Sequence, residues 1–205
     1  MFGYDMVLPV NTGVEAVETG IKLARKWAYI RKGIPPGQAI IFSASGNFHG
    51  RTLGVISMST DPESRSAFGP FLEGVGPTYT DGEEVKTIRF GVIEDLERAL
   101  ELYGDRTAAF LVEPIQGEAG CVIFNSRSFV AADDLLLRVV VPEDGYLAKV
   151  RDLCKKHNVL LICDEIQTVS SNHLFLILRG LMNISRDLAV RGRCWPVSGT
   201  MFDRT

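Results

Sequence analysis

Two stretches of this 205-residue chain place acids and amides directly after apolar runs: Phe-Leu-Val-Glu-Pro-Ile-Gln-Gly-Glu over 110–118 and Leu-Leu-Ile-Cys-Asp-Glu-Ile-Gln-Thr over 160–168. A parallel α/β sheet presents its site at the carboxyl ends of buried strands, so Glu113, Glu118, Asp164 and Gln167 are candidates for one cleft. Asp164 follows five apolar residues, and a carboxylate at such a position needs a cationic or hydrogen-bonded partner. A protonated ring nitrogen of a bound cofactor would be one, and Gln167 could reach the same ligand. Glu113 and Glu118 flank a Pro-Ile-Gln-Gly turn, either as partnered acids of a site or as an exposed acidic loop.

Three further segments offer binding groups. Asn-Thr-Gly-Val-Glu-Ala from Asn11 opens a helix whose first N–H groups can hold an anion, with Gly13 and Val14 at closest approach; a plain helix cap has the same pattern. Phe48 and His49 lie between Gly46 and Gly50, where an aromatic face can be offered to a planar ligand or packed beneath its own loop. Arg51 could clamp a carboxylate in two-point fashion or simply be solvated.

The elements that must position these groups follow from periodicity. Helical spacing of Val17, Ile21, Ala24, Trp27 and Ala28 predicts a helix over 14–31, stopped by Gly33, Pro35 and Pro36. Residues 39–44 predict a short strand, and the alternation from Leu53 to Ser59 predicts another. Asp61-Pro62, Gly69-Pro70 and Gly76-Pro77 mark 60–82 as loop. Helices are expected over 92–103, with Gly104 as its C-cap, and over 145–157; buried strands are expected over 108–112 and 159–163. Continuous apolar strands alternating with amphipathic helices give an α/β fold with a parallel sheet covered on both faces.

With 46% apolar and 23% charged residues the chain is globular rather than disordered, and its net charge of -3 with scattered cations argues against a nucleic-acid partner. Cys121, Cys154, Cys163 and Cys194 show no C-x-x-C spacing, which favours reduced thiols. The first residues have no signal-peptide pattern and the longest apolar run is too short to span a bilayer, so export and a membrane location are not expected.

In order, the chain carries Asn-Thr-Gly-Val-Glu-Ala, Gly-Asn-Phe-His-Gly-Arg-Thr, Ser-Thr-Asp-Pro, Phe-Gly-Pro-Phe, Val-Glu-Pro-Ile-Gln-Gly-Glu-Ala-Gly and Asp-Glu-Ile-Gln-Thr. These stretches resemble the class III, pyridoxal-phosphate-dependent aminotransferases of fold type I, over residues 1 to about 122 and about 141 to 168. The longer Val-Leu-Pro-Val-Asn-Thr-Gly-Val-Glu-Ala and the Ser-Thr-Asp-Pro stretch are closest to the branch that acts on ornithine.

The resemblance implies the large cofactor-binding domain of a fold type I enzyme that moves the distal amino group of ornithine to 2-oxoglutarate. Branches acting on acetylornithine or 4-aminobutyrate are the alternatives. It implies pyridoxal 5′-phosphate held by Gly13 and Val14 at the phosphate, Phe48 on the ring, Asp164 at the pyridinium nitrogen and Gln167 at the ring hydroxyl. Arg51 would hold the substrate α-carboxylate, and Glu113 and Glu118 would line the substrate cleft, Glu118 as gate for a second arginine beyond this chain. It also implies amino-acid and 2-oxo-acid substrates, a homodimer or higher assembly, and a cytoplasmic or mitochondrial-matrix location.

Departures from the family pattern are expected in two places. Residues 124–140 read as an insertion without family counterpart, and 169–205 as a non-family tail whose frame is displaced, both consistent with retained introns in the gene. Residues 1–168 would then be a partial cofactor domain with an incomplete sheet. The family's Schiff-base lysine lies beyond the aspartate that Asp164 matches, whereas the lysines here are Lys22, Lys26, Lys32, Lys86, Lys149, Lys155 and Lys156. No catalytic lysine is therefore assigned, and the chain as written is expected to be an inactive or interaction-only product.

Overall fold

The computed structural model describes residues 6–117, 139–166, 168, 188–191 and 198–202. Strand β1 (Met6–Val10) leads into helix α1 (Gly13–Trp27), which Thr12 caps. Thr12 Oγ1 accepts the Glu15 N–H at 3.2 Å, and the Glu15 carboxylate accepts the N–H groups of Asn11 and Thr12 at 2.7 and 3.0 Å. This reciprocal capping fixes where the helix begins. The helix runs on through one π turn, Ala28–Lys32, and ends at Gly33, whose φ of 80° is the left-handed conformation expected of the stop.

Strand β2 (Ile40–Ser43) follows, then α2 (Leu53–Ile56), α3 (Pro62–Arg65), β3 (Val75–Gly76) and the hairpin of β4 (Thr78–Asp81) and β5 (Glu84–Thr87). Helix α4 (Ile93–Tyr103) precedes β6 (Thr107–Val112), and α5 (Tyr146–Lys156) precedes β7 (Leu160–Glu165). Strands β8 (Leu188–Arg191) and β9 (Ser198–Phe202) complete the order.

The main sheet runs β1-β9-β8-β7-β6-β2-β3. From β3 to β8 all neighbours are parallel, with Phe42 opposite Phe110 and Leu111 opposite Ile162, while β9 is antiparallel to both β8 and β1. Every residue of β6 and β7 is buried, the signature of a sheet covered on both faces. Alternate residues serve the two cores. Ile41, Ala109, Leu111 and Ile162 pack with Val17, Ile21 and Ala24 of α1. Phe42, Phe110, Leu161 and Cys163 pack with Leu96 and Leu100 of α4 and Val150 and Cys154 of α5.

Two expectations change. Residues 53–59 are not a strand: Leu53 is exposed, whereas Val55, Ile56 and Met58 are buried, so packing follows a helical turn rather than the alternation. Residues 60–82 are not loop throughout. Asp61 accepts the N–H groups of Glu63 and Ser64 with Pro62 behind it, so Asp-Pro is here a helix cap and first turn. Gly104 is the C-cap of α4, as expected, with a right-handed φ of -52° that leads into a 3-10 turn; its missing side chain serves space, since a Cβ would come within 2.8 Å of His157 Nδ1. From the tail after Thr168, β8 and β9 join the main sheet. Most of the 124–140 segment lies outside the described residues; its last residue, Val140, pairs with Gln116 in an antiparallel bridge. Among the described residues no helix is long and apolar enough to cross a membrane.

Candidate functional site

The chain leaves β2 to form β3 on one side, then returns to form β6 on the other, so β2 is the point where strand order reverses. Loops leaving adjacent carboxyl ends diverge at such a point and open a crevice. A cavity of about 190 Å³ lies there, lined by Gly13, Val14, Phe48, His49, Gly50, Glu113, Asp164 and Ile166. Five residues singled out from sequence, Gly13, Val14, Phe48, Glu113 and Asp164, thus meet in one place. Arg51 does not line the cavity; its guanidinium stands 6.0 Å from the centre of the Phe48 ring. Glu118 and Gln167 lie outside the described residues.

Each wall has a local cause. Gly13 and Val14 are the first two residues of α1, so their N–H groups have no carbonyl one turn back within the helix. The capping box consumes the Glu15 N–H but leaves these two facing the positive end of the helix dipole. Gly13 is needed for space, because a Cβ would collide with the Ile166 side chain. Gly50 is needed for both space and conformation: its φ is +116° and a Cβ would lie 2.6 Å from Val14 Cγ2.

The arm that carries Phe48 is tied at many points. Ser45 N–H donates to Ile88 O at 2.8 Å, Gly46 N–H to Thr60 Oγ1 at 2.8 Å, and the Gln116 amide to Ser45 O at 2.9 Å. Asn47 Nδ2 donates to Ala44 O at 2.6 Å and to Met58 O at 2.9 Å. Phe48 N–H then donates to Glu113 Oε2 at 3.1 Å, and His49 Nδ1 lies 2.8 Å from Asp164 Oδ2.

Sequence reasoning did not assign His49 as the partner of Asp164. Only the need of a buried carboxylate for a partner pointed that way, since 115 residues separate the two. His49 is 3% exposed and Asp164 3%. Burial works against a charged imidazole, but the hydrogen bond to Asp164 and the negative charges of Asp164 and Glu113 prevail and raise the His49 pKa above its ordinary value. Asp164 Oδ1 accepts the Ile166 N–H at 3.2 Å, so both carboxylate oxygens are oriented. His49 Nε2 has no hydrogen-bond partner among the described residues.

The cavity therefore offers helix N–H groups for an anion, a flat aromatic face, and a buried carboxylate for a cation. That donor set fits a planar ring with a phosphate at one end and a protonated nitrogen at the other, which is the shape of pyridoxal 5′-phosphate. No group of three or more metal-ligating side chains occurs among the described residues.

Comparison with known proteins agrees with this geometry. The chain matches the aminotransferase class-III family over residues 1–136 and 138–172. It is 46% identical over 208 residues to ornithine aminotransferase of Schizosaccharomyces pombe, covering 99% of this chain and 43% of that protein. It is 51% identical over 169 residues to the ornithine aminotransferase of Saccharomyces cerevisiae, covering 82% of this chain and 35% of that protein. The chain thus spans less than half the length of these relatives. Among solved structures, an ornithine aminotransferase of Toxoplasma gondii, with PLP at partial occupancy in its active site, superimposes with a TM-score of 0.78 at 36% identity over 100% of this chain and 42% of that one. An acetylornithine aminotransferase from Elizabethkingia anophelis gives 0.68 at 38% identity over 98% of this chain and 43% of that one. By sequence and by fold, this chain belongs to the class III aminotransferase family.

Proposed function

We propose that this chain supplies the cofactor-binding part of an ornithine aminotransferase, which uses pyridoxal 5′-phosphate to transfer the distal amino group of ornithine to 2-oxoglutarate. The observation that carries this is Asp164, buried at the carboxyl end of β7 and opening onto a cavity whose other walls are the start of α1 and Phe48. When bound, the cofactor supplies an electron sink for the substrate carbon that loses its proton.

The chain's own residues do the rest. Gly13 and Val14 bind the phosphate through backbone N–H groups, and Phe48 covers one face of the ring and keeps water from it. Asp164 would hold the proton on the ring nitrogen, because a carboxylate beside that nitrogen favours its protonated form over the neutral one. Gln167 addresses the ring hydroxyl, Arg51 the substrate α-carboxylate, and Glu118 the distal end of the cleft. Substrates are an amino acid and a 2-oxo acid, in a homodimer or larger assembly of the complete protein, in the mitochondrial matrix or the cytoplasm. The curated relatives favour ornithine over acetylornithine or 4-aminobutyrate as donor.

No lysine follows Lys156. Lys155 and Lys156 end α5 at the start of β7, while Asp164 is four strand residues further along from Leu160, about 13 Å at the usual rise. The 205 residues alone are therefore expected to bind the cofactor without a covalent link and not to transaminate. Titration of the chain with pyridoxamine 5′-phosphate by calorimetry should show saturable one-to-one binding that inorganic phosphate competes away; absence of binding would overturn the cofactor assignment. In the complete protein, ornithine should be turned over faster than N-acetylornithine or 4-aminobutyrate, and preference for either would overturn the substrate assignment.

A further inference from the structure

We propose that Glu113 is a positioning residue that holds the Phe48 arm against the sheet, and does not touch substrate. This rests on the assignment of the cavity to pyridoxal 5′-phosphate. Glu113 ends β6, is 2% exposed, and its Oε2 accepts the Phe48 N–H at 3.1 Å. The next residue, His49, is fastened to Asp164 on β7 at 2.8 Å. Two consecutive residues of the arm are thus tied to two adjacent parallel strands, one through its backbone and one through its side chain. Those ties set both the height and the tilt of the Phe48 ring over the cavity.

The chemistry separates this role from a substrate contact. An acid that recognises a substrate amine must be reachable and must carry charge. Accepting the Phe48 N–H needs an oxygen in the right place, and a glutamine amide oxygen provides that at the same reach. Positioning therefore predicts that Glu113→Gln preserves function where Glu113→Ala does not.

The experiment measures amide hydrogen exchange at Phe48 and the affinity for pyridoxamine 5′-phosphate in the 205-residue chain and in E113Q and E113A. E113A should speed exchange at Phe48 about tenfold or more, the value of a hydrogen bond to a charged acceptor, and weaken the ligand by roughly as much. E113Q should keep both within about twofold of wild type. The proposal fails if E113Q loses affinity as E113A does, or if E113A leaves Phe48 exchange unchanged. Should E113A not fold, wild type and E113Q decide: a Phe48 amide unprotected in wild type, or protected there and exposed in E113Q, refutes the latch. If wild type does not bind the ligand, the cofactor assignment fails while the exchange measurement still judges Glu113.

Discussion

The amino and carboxyl ends of the central strands both hold charged side chains away from full solvent, partly at Lys32 and wholly at Glu113 and Asp164, and they settle them differently. At the amino ends of β6 and β7, Lys32 Nζ donates to Gly104 O, Thr107 O and His157 O at 2.7, 2.9 and 3.1 Å, so three donors meet three acceptors. Burial pulls its pKa down to about 8, with Asp105 and Cys154 opposing. At the carboxyl ends, Asp164 meets the His49 imidazole and Glu113 accepts the Phe48 N–H, while His49 Nε2 has no hydrogen-bond partner among the described residues. The Lys32 junction is closed by three backbone carbonyls. The junction at the carboxyl ends opens on the cavity, and that opening is what marks it as a site.

Substitutions at the two ends should therefore break different properties. Asp164→Asn leaves His49 and the ring nitrogen without a carboxylate and should lower the affinity for pyridoxamine 5′-phosphate by about 3–5 kcal/mol, seen by calorimetry. Lys32→Met removes three hydrogen bonds to carbonyls and should cost about 3 kcal/mol in denaturant unfolding, at roughly 1 kcal/mol each, with ligand affinity intact. Because the native-state pKa of Lys32 is lowered, the folded chain gives up that proton first. Its contribution to stability should then rise with pH between about 8 and 10.5, a slope that Lys32→Met removes.

Smaller effects sharpen the contrast. Gly13→Ala pushes Ile166 away from the start of α1 and should cost about 1–3 kcal/mol of stability, together with some phosphate affinity. The His49–Asp164 pair has the opposite pH sign to Lys32. The His49 pKa is raised in the folded chain, so the pair's contribution is complete below about 6.5 and fades as pH rises through the native-state value above it. Unfolding free energies of wild type and His49→Gln should differ most in mild acid and converge in alkali.

What sequence conveyed and what it hid follow from the range of the interactions. Strands β6 and β7 were legible because burial on both faces makes them continuous apolar runs, and Glu113 and Asp164 were legible as the first polar residues after them. Gly33 was legible because its left-handed backbone is a local demand. Helix α2 was not, since the alternation of Leu53, Val55 and Ser57 carries a strand signal that tertiary packing of Val55, Ile56 and Met58 overrides. Asp61-Pro62 serves a turn and a helix start alike, and only the N–H groups of Glu63 and Ser64 distinguish them. The ties of His49 to Asp164 and of Phe48 to Glu113 span 115 and 65 residues, so no local pattern announces them.

The central claim is that Asp164 keeps a bound pyridine nitrogen protonated. Pyridoxamine 5′-phosphate labelled with nitrogen-15 in the ring reports this directly, through the ring-nitrogen chemical shift of the complex at mildly alkaline pH. The protonated shift in wild type, moving to the unprotonated one in Asp164→Asn at saturating ligand, is the predicted result. An unprotonated ring nitrogen in the wild-type complex, or the same shift in both proteins, would contradict it.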